Sequence, residues 1–264
     1  IKSSIFFSKV LKLLFNNTDL LNYLYSKFQP FFVKIKPPNF IMASGEKTVN
    51  INNKFTKTIW THKLDYDLYL DFIKNKNDEI AAEPYLLLLD EYIPFHPDGI
   101  NEKWPKIDPI KYYSLITNFL SEIELKEKCP VIIAAHPRSQ YESHPDYFQG
   151  RRVMKNKTIE LVKNAKLVIT HASTSSNFAV FFNKPIIFIK MNLISAFYDH
   201  WIETMASNLG SAILSVDEII NESEYNNAKI INIESYKSYK NNYIKKENSP
   251  DKNTWEIFVD YLNK

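Results

Sequence analysis

Short apolar runs and longer amphipathic stretches alternate through the second two thirds of the chain. Tyr85-Leu86-Leu87-Leu88-Leu89 is continuous and stops at two acids, as a strand buried on both faces of a parallel sheet should. The spacing then predicts a helix over 109–127, a strand over 131–135, a short helix over 158–163 and a strand over 167–170. A helix over 175–182 and a strand over 185–189 follow. Strands alternating with helices imply a parallel sheet with right-handed crossovers, an α/β fold.

Upstream the pattern is less regular. Residues 4–28 place Leu13, Leu14, Leu20, Leu21 and Leu24 at helical spacing, with a break near 16–19, which predicts a helix pair. Phe40-Ile41-Met42 and Thr58-Ile59-Trp60-Thr61 read as short strands. Residues 66–73 carry Tyr66, Tyr69, Leu70 and Ile73 on one helical face, and the polar stretch 74–83 reads as a linker. This divides the chain into a first α/β domain over 1–83 and a second over 84–264. Helical spacing is already under way at Ile1, so the first domain reads as incomplete. The tail, 216–264, is rich in Asn and Lys and ends in a helix over 255–262.

Charge and cysteine content narrow the partners. A net charge of +3 without a basic stripe on a recognised motif gives no footprint for nucleic acid. Residues 1–36 do hold six lysines against Asp19 alone. That face suits peripheral contact with an anionic membrane or a lipid-linked substrate, or is simply a solvated helix surface. A lone Cys129 excludes an internal disulfide and indicates a reducing compartment. No apolar run reaches the roughly 20 residues that span a bilayer, so the expected location is cytoplasmic, with any membrane contact peripheral at the inner face.

In an open parallel sheet, ligands sit outside the carboxyl ends of the strands. Polar residues cluster there three times: Asp90-Glu91, His136-Pro137-Arg138, and His171-Ala172-Ser173-Thr174-Ser175-Ser176. Each could be a cap or turn, but three in succession point to a site. The hydroxyl run leads into an apolar helix, where free amides and the helix dipole favour a phosphate; Ser173 or Ser175 as a plain cap is the alternative. Pro137 pins His136, which could donate to a phosphate or leaving group, while Arg138 is either a phosphate contact or a surface ion pair. Asp90 or Glu91, Asp90 preferred, could serve as general base on an acceptor hydroxyl.

The order Asp90-Glu91, His136-Pro137, Ser173-Thr174-Ser175 resembles the three short motifs of the bacterial sialyltransferases and related CMP-sugar transferases. The stretch 131–189 is also similar to capsule and lipopolysaccharide glycosyltransferases in general. The resemblance covers about the C-terminal two thirds. It implies a GT-B-like enzyme of two Rossmann-like domains, the first on the acceptor side and the second holding the nucleotide-sugar. It implies a sugar donor, with CMP-activated sialic acid or Kdo preferred, and a glycan or lipid-linked glycan acceptor, without a separate cofactor. The acid would be the base, His136 would contact the CMP phosphate, and Ser173 to Ser175 would bind it. Strand-end position adds Pro137, Arg138, His171 and Ser176 to the expected nucleotide set. One position departs from the family pattern: Tyr92 stands where a glycine follows the paired acids. Glycerophosphotransferases of the CDP-glycerol kind, nonhydrolysing UDP-sugar epimerases and a non-catalytic nucleotide or glycan-binding module fit the same residues.

Asp65-Tyr66-Asp67 is a literal DxD, which can bind a divalent metal through nucleotide phosphates. Its position at the start of a predicted helix favours a cap instead, so no obligatory metal is expected.

Overall fold

The structure, a computed structural model, describes residues 36–49, 55–75 and 83–263. The helix pair expected over 4–28, with its basic face, lies outside the described residues, as does most of the expected linker. By contacts the chain falls into two compact units, residues 1–41 with 51–58, and residues 42–50 with 59–264. In the first, Lys57 donates its amide to the Asn39 carbonyl at 2.9 Å. Two short strands are β1 (Phe40–Ala43) and β2 (Lys57–Trp60).

The larger unit is built on a six-stranded, wholly parallel sheet. Its strands are β3 (Leu86–Leu89), β4 (Val131–Ala135), β5 (Val153–Lys155), β6 (Leu167–Thr170), β7 (Ile186–Lys190) and β8 (Ile213–Ser215). They lie in the order β5-β4-β3-β6-β7-β8. Counting from β3, this is the 3-2-1-4-5-6 order of the doubly wound nucleotide-binding fold. The direction of winding reverses between β3 and β6, which pair in register from Leu86 with Leu167 to Leu89 with Thr170.

Period-two side-chain alternation divides the apolar residues between two cores. Leu86, Leu88, Ile133, Ile169 and Ile189 face the first, which helix α3 (Pro109–Glu127) covers with Tyr112, Tyr113, Ile116 and Leu120. Leu87, Leu89, Ala134, Val168 and Phe188 face the second. Helices α4 (Thr158–Asn164), α5 (Ser176–Phe181), α6 (Ser195–Leu209) and α8 (Ile233–Tyr239) supply that core with Leu161, Phe178, Ile202 and Tyr236. Each fully buried Leu or Ile contributes about 1.5–3 kcal/mol before chain entropy is counted, which is why the strands admit no polar residue until their carboxyl ends. The sharp start of α3 is chemical: Asp108 accepts the amides of Ile110 and Lys111, and Pro109 fits the first helical turn.

The expected strands and helices of the sheet are found within a residue or two. Helix α1 (Leu64–Asn75) also forms, but its expected face is rotated at the end: Tyr66 is buried, whereas Ile73 is exposed and Asp67 is buried instead. The tail is more structured than its polarity suggests. It holds α7 (Glu222–Ala228), α8, a π-helical turn (Lys240–Ile244) and α9 (Thr254–Leu262). Tyr225, Tyr236 and Tyr239 are buried anchors there, together with Ile244 and Ile257. Strand β5, helix α2 (Pro97–Asn101), helix α6 and strand β8 are likewise found without a sequence signal.

One glycine is fixed by proximity rather than by φ. A Cβ on Gly45 would stand 2.4 Å from the backbone carbon and oxygen of Asn242 in the π-helical turn. Backbone cannot step aside as a side-chain tip can. Gly45→Ala is therefore expected to lower stability by about 1–3 kcal/mol, the usual cost of overpacking, read as a fall in the urea midpoint. An unchanged midpoint would show that the turn can move.

Candidate functional site

At the winding reversal, where such sheets leave a crevice, the structure has a cavity of about 480 Å³. It is lined by Glu91 after β3, His136 and Pro137 after β4, and Ala172 to Ser175 after β6. The remaining wall is His96, Asp98, Glu102 and Trp104 from the β3–α3 connection, with Tyr198 and Trp201 from α6. No Lys or Arg is among these lining residues. A larger hollow, about 760 Å³, opens at the amino ends of β3 and β4 beside Tyr85 and Pro130. That end of a parallel sheet offers no strand-end cluster, and its Arg151 is already bonded to Glu124 at 2.7 Å. The smaller cavity carries the convergent chemistry.

The two acids have separate surroundings. Asp90 is buried outside the cavity wall; its Oδ2 accepts from the Tyr141 hydroxyl at 2.6 Å and its Oδ1 from the Tyr92 amide at 3.2 Å. Burial pushes its pKa up to about 6 against these hydrogen bonds. Glu91 borders the cavity and ties β3 to the next strand end. Its Oε1 accepts from the Thr170 hydroxyl and from the amides of His171 and Ala172, at 3.2, 3.1 and 2.8 Å. Its Oε2 has the Tyr198 hydroxyl. Burial outweighs these four donors and raises its pKa to about 7. Oε1 is saturated by three donors, whereas Oε2 retains room for another. Tyr92, where the resembling family has glycine, sits at φ 55° and ψ 32°. This is the left-handed region that glycine enters freely, and here the strained residue is braced by its hydroxyl's 2.7 Å bond with His144 Nε2.

His136 follows β4 in a tight turn: its carbonyl accepts the Ser139 amide at 2.9 Å, and its Nδ1 accepts the Arg138 amide at 3.2 Å. With Nδ1 an acceptor, the proton of the neutral ring is on Nε2. Burial lowers the pKa of His136, and His96 and Arg138 lower it further. Lys155 Nζ secures the turn by donating to the Ser139 carbonyl. Arg138 itself points into solvent, 64% exposed, 3.8 Å from Asp98. It is not part of the cavity wall.

The hydroxyl loop is more self-contained than the sequence suggests. The amides of His171 and Ala172 go to Glu91, and those of Ser173 and Ser175 go to the hydroxyls of Thr170 and Ser173. Those of Ser176 and Asn177 reach the carbonyls of Ser173 and Thr174. Among the loop amides, that of Thr174 alone has no internal acceptor, so the donors the loop turns outward are mainly the side-chain hydroxyls of Ser173, Thr174 and Ser175. Ser176 is fully buried behind them. His171 is also buried, bonded through Nδ1 to the Ile189 carbonyl at 2.8 Å and through Nε2 to the Tyr112 hydroxyl at 3.0 Å. Desolvation pulls its pKa down to about 4, so it is a neutral strut joining β6, β7 and α3.

No protein-family model matches the chain, and no curated protein matches it in sequence. Similarity to solved structures is distant. The UDP-GlcNAc 2-epimerase of Methanocaldococcus jannaschii, with UDP-GlcNAc and UDP bound, aligns at 15% identity and TM-score 0.43, over 81% of this chain and 56% of its own. Acinetobacter baumannii MurG aligns at 12% and 0.37, over 85% and 60%, and the spinosyn forosaminyltransferase SpnP at 12% and 0.45, over 85% and 54%. The chain thus spans little more than half the length of these structures.

Asp65 and Asp67 lie inside the first turn of α1 rather than ahead of it as caps. Asp65 accepts from Asn177 Nδ2 at 2.6 Å, and Asp67 accepts the Thr254 amide at 2.9 Å, tying α1 to α5 and to the start of α9. Neither lines the cavity. Six cavity residues were not among the candidates drawn from the sequence: His96, Asp98, Glu102, Trp104, Tyr198 and Trp201. One sign was present, since His96-Pro97-Asp98 repeats the His-Pro pattern of His136-Pro137 after an adjacent strand.

Proposed function

We propose that this chain is a nucleotide-sugar glycosyltransferase of the GT-B kind, with residues 84–264 as its donor half and the residues before them as part of the acceptor side. The observation that carries this reading is the cavity at the winding reversal, where Glu91, His136 and the Ser173–Ser175 hydroxyls converge from three adjacent strand ends. The donor is CMP-activated, a keto sugar such as sialic acid or Kdo, and the acceptor a surface glycan. The donor's phosphate rests on the hydroxyl loop and on His136 Nε2–H, which stabilises the departing nucleotide. Glu91 Oε2 takes the acceptor's proton; it borders the cavity, and its raised pKa suits a general base near neutral pH. Asp90, beside it, fixes Tyr141. No metal enters the scheme.

The test is a nucleotide panel followed by product analysis. CMP is expected to raise the melting temperature more than UMP or GMP. Replacing both Ser173 and Thr174 by Ala is expected to weaken CMP binding by about 1–3 kcal/mol, the range for hydrogen bonds to a charged group. Transfer that requires an added acceptor supports a transferase, whereas conversion of the donor without one indicates an epimerase. Equal shifts with all nucleotides would remove the CMP assignment.

A further inference from the structure

The cavity contains two His-Pro turns of the same build. In each the histidine carbonyl accepts the amide three residues on, from Gly99 at 3.0 Å and from Ser139 at 2.9 Å. In each the histidine Nδ1 accepts the amide two residues on, from Asp98 and from Arg138, both at 3.2 Å. This use of Nδ1 places the proton of both neutral rings on Nε2. The ring centroids are 4.9 Å apart, with planes at 66°. His96 is further held by stacking on Trp104, 5.6 Å away at 21°. Neither Nε2 has a partner among the described residues. A third His-Pro pair shows that this is not generic to the motif: His144 gives its Nε2 to Tyr92 and lies outside the cavity wall.

We propose that His96 and His136 act as one clamp, their two Nε2–H groups gripping the same phosphoryl oxyanion. The proposal rests on the nucleotide-sugar reading of the cavity and adds His96 to its binding set. Two considerations favour it. The wall holds no Lys or Arg to neutralise a phosphate, and most amides of the hydroxyl loop are already satisfied, so donors must come from elsewhere. The paired turns provide two of them, pre-aimed, on connections from adjacent strands β3 and β4.

The experiment is calorimetric titration of the full chain with CMP, UMP, inorganic phosphate and cytidine. His96→Ala is expected to weaken nucleotide binding about tenfold, as is His136→Ala. The double variant should fall well short of the hundredfold that independent contacts would give, because both rings hold one group. His96→Gln, which keeps a side-chain N–H, should recover part of the loss and guards against a folding defect. Cytidine, lacking phosphate, should bind all variants alike. Unchanged nucleotide affinity in folded His96→Ala, alongside a loss in the Ser173/Thr174 double variant, would overturn the clamp and leave the nucleotide site standing. If the wild-type chain binds neither nucleotide nor phosphate, both fall together.

Discussion

Glu91→Gln is expected to reduce sugar transfer by about two to four orders of magnitude, the span that general-base loss usually produces, with CMP affinity close to wild type. The geometry makes the substitution unusually clean. The amide oxygen can occupy the position of Oε1 and keep the donors from Thr170, His171 and Ala172, while the new NH₂ turns toward the Tyr198 hydroxyl, which can accept as well as donate. The loop therefore keeps its shape and only the basic oxygen is lost. Asp90→Asn, outside the cavity wall, should retain transfer within about tenfold, since a base must reach the proton it removes. Initial rates at saturating donor decide between them; near-normal turnover in folded Glu91→Gln would end the assignment.

The same substitution should reveal what the acid costs the fold. Glu91 is bound more tightly to its proton in the folded chain, about pH 7, than in the unfolded chain near 4.5. Stability associated with the protonated form is thus fully present below pH 4.5 and drains away as pH rises through 7. A shift of this size corresponds to about 3 kcal/mol. Glutamine does not titrate, so urea denaturation should show the stability of Glu91→Gln gaining on the wild type by roughly that amount between pH 4 and pH 8.5. Asp90 titrates in both proteins and cancels. A constant difference across this range would mean that Glu91 titrates in the fold as it does in the unfolded chain, its four donors balancing its burial.

The sheet was legible in the sequence because its strands are continuous apolar runs and its helices carry clear ends; Asp108-Pro109 marks the start of α3 as plainly as any cap can. Strand β5 was not, since its three residues sit at a sheet edge and only Met154 packs against a core. Helices α7 and α8 were hidden because one or two tyrosines carry their burial within otherwise polar segments. In the cavity, residues directly after strands were found by that rule alone. His96, Trp104 and Trp201 escaped it: two lie five or more residues beyond their strand in a connection, and the third lies on a helix whose apolar stripe is narrow. For the Asp90–Glu91 pair the sequence favoured Asp90 as base, whereas the proposal of Glu91 follows burial and hydrogen-bond partners, which residue identity does not carry.

The hydroxyl loop keeps its form through bonds to itself, to Glu91 and, through His171, to β7 and α3. As the donor-phosphate site proposed above, a loop held in this way is shaped before any guest arrives. Ligand capture there should incur little ordering entropy, so affinity differences among donors should appear chiefly in how long each stays bound, while the empty and filled loops exchange their amide hydrogens at nearly the same rate.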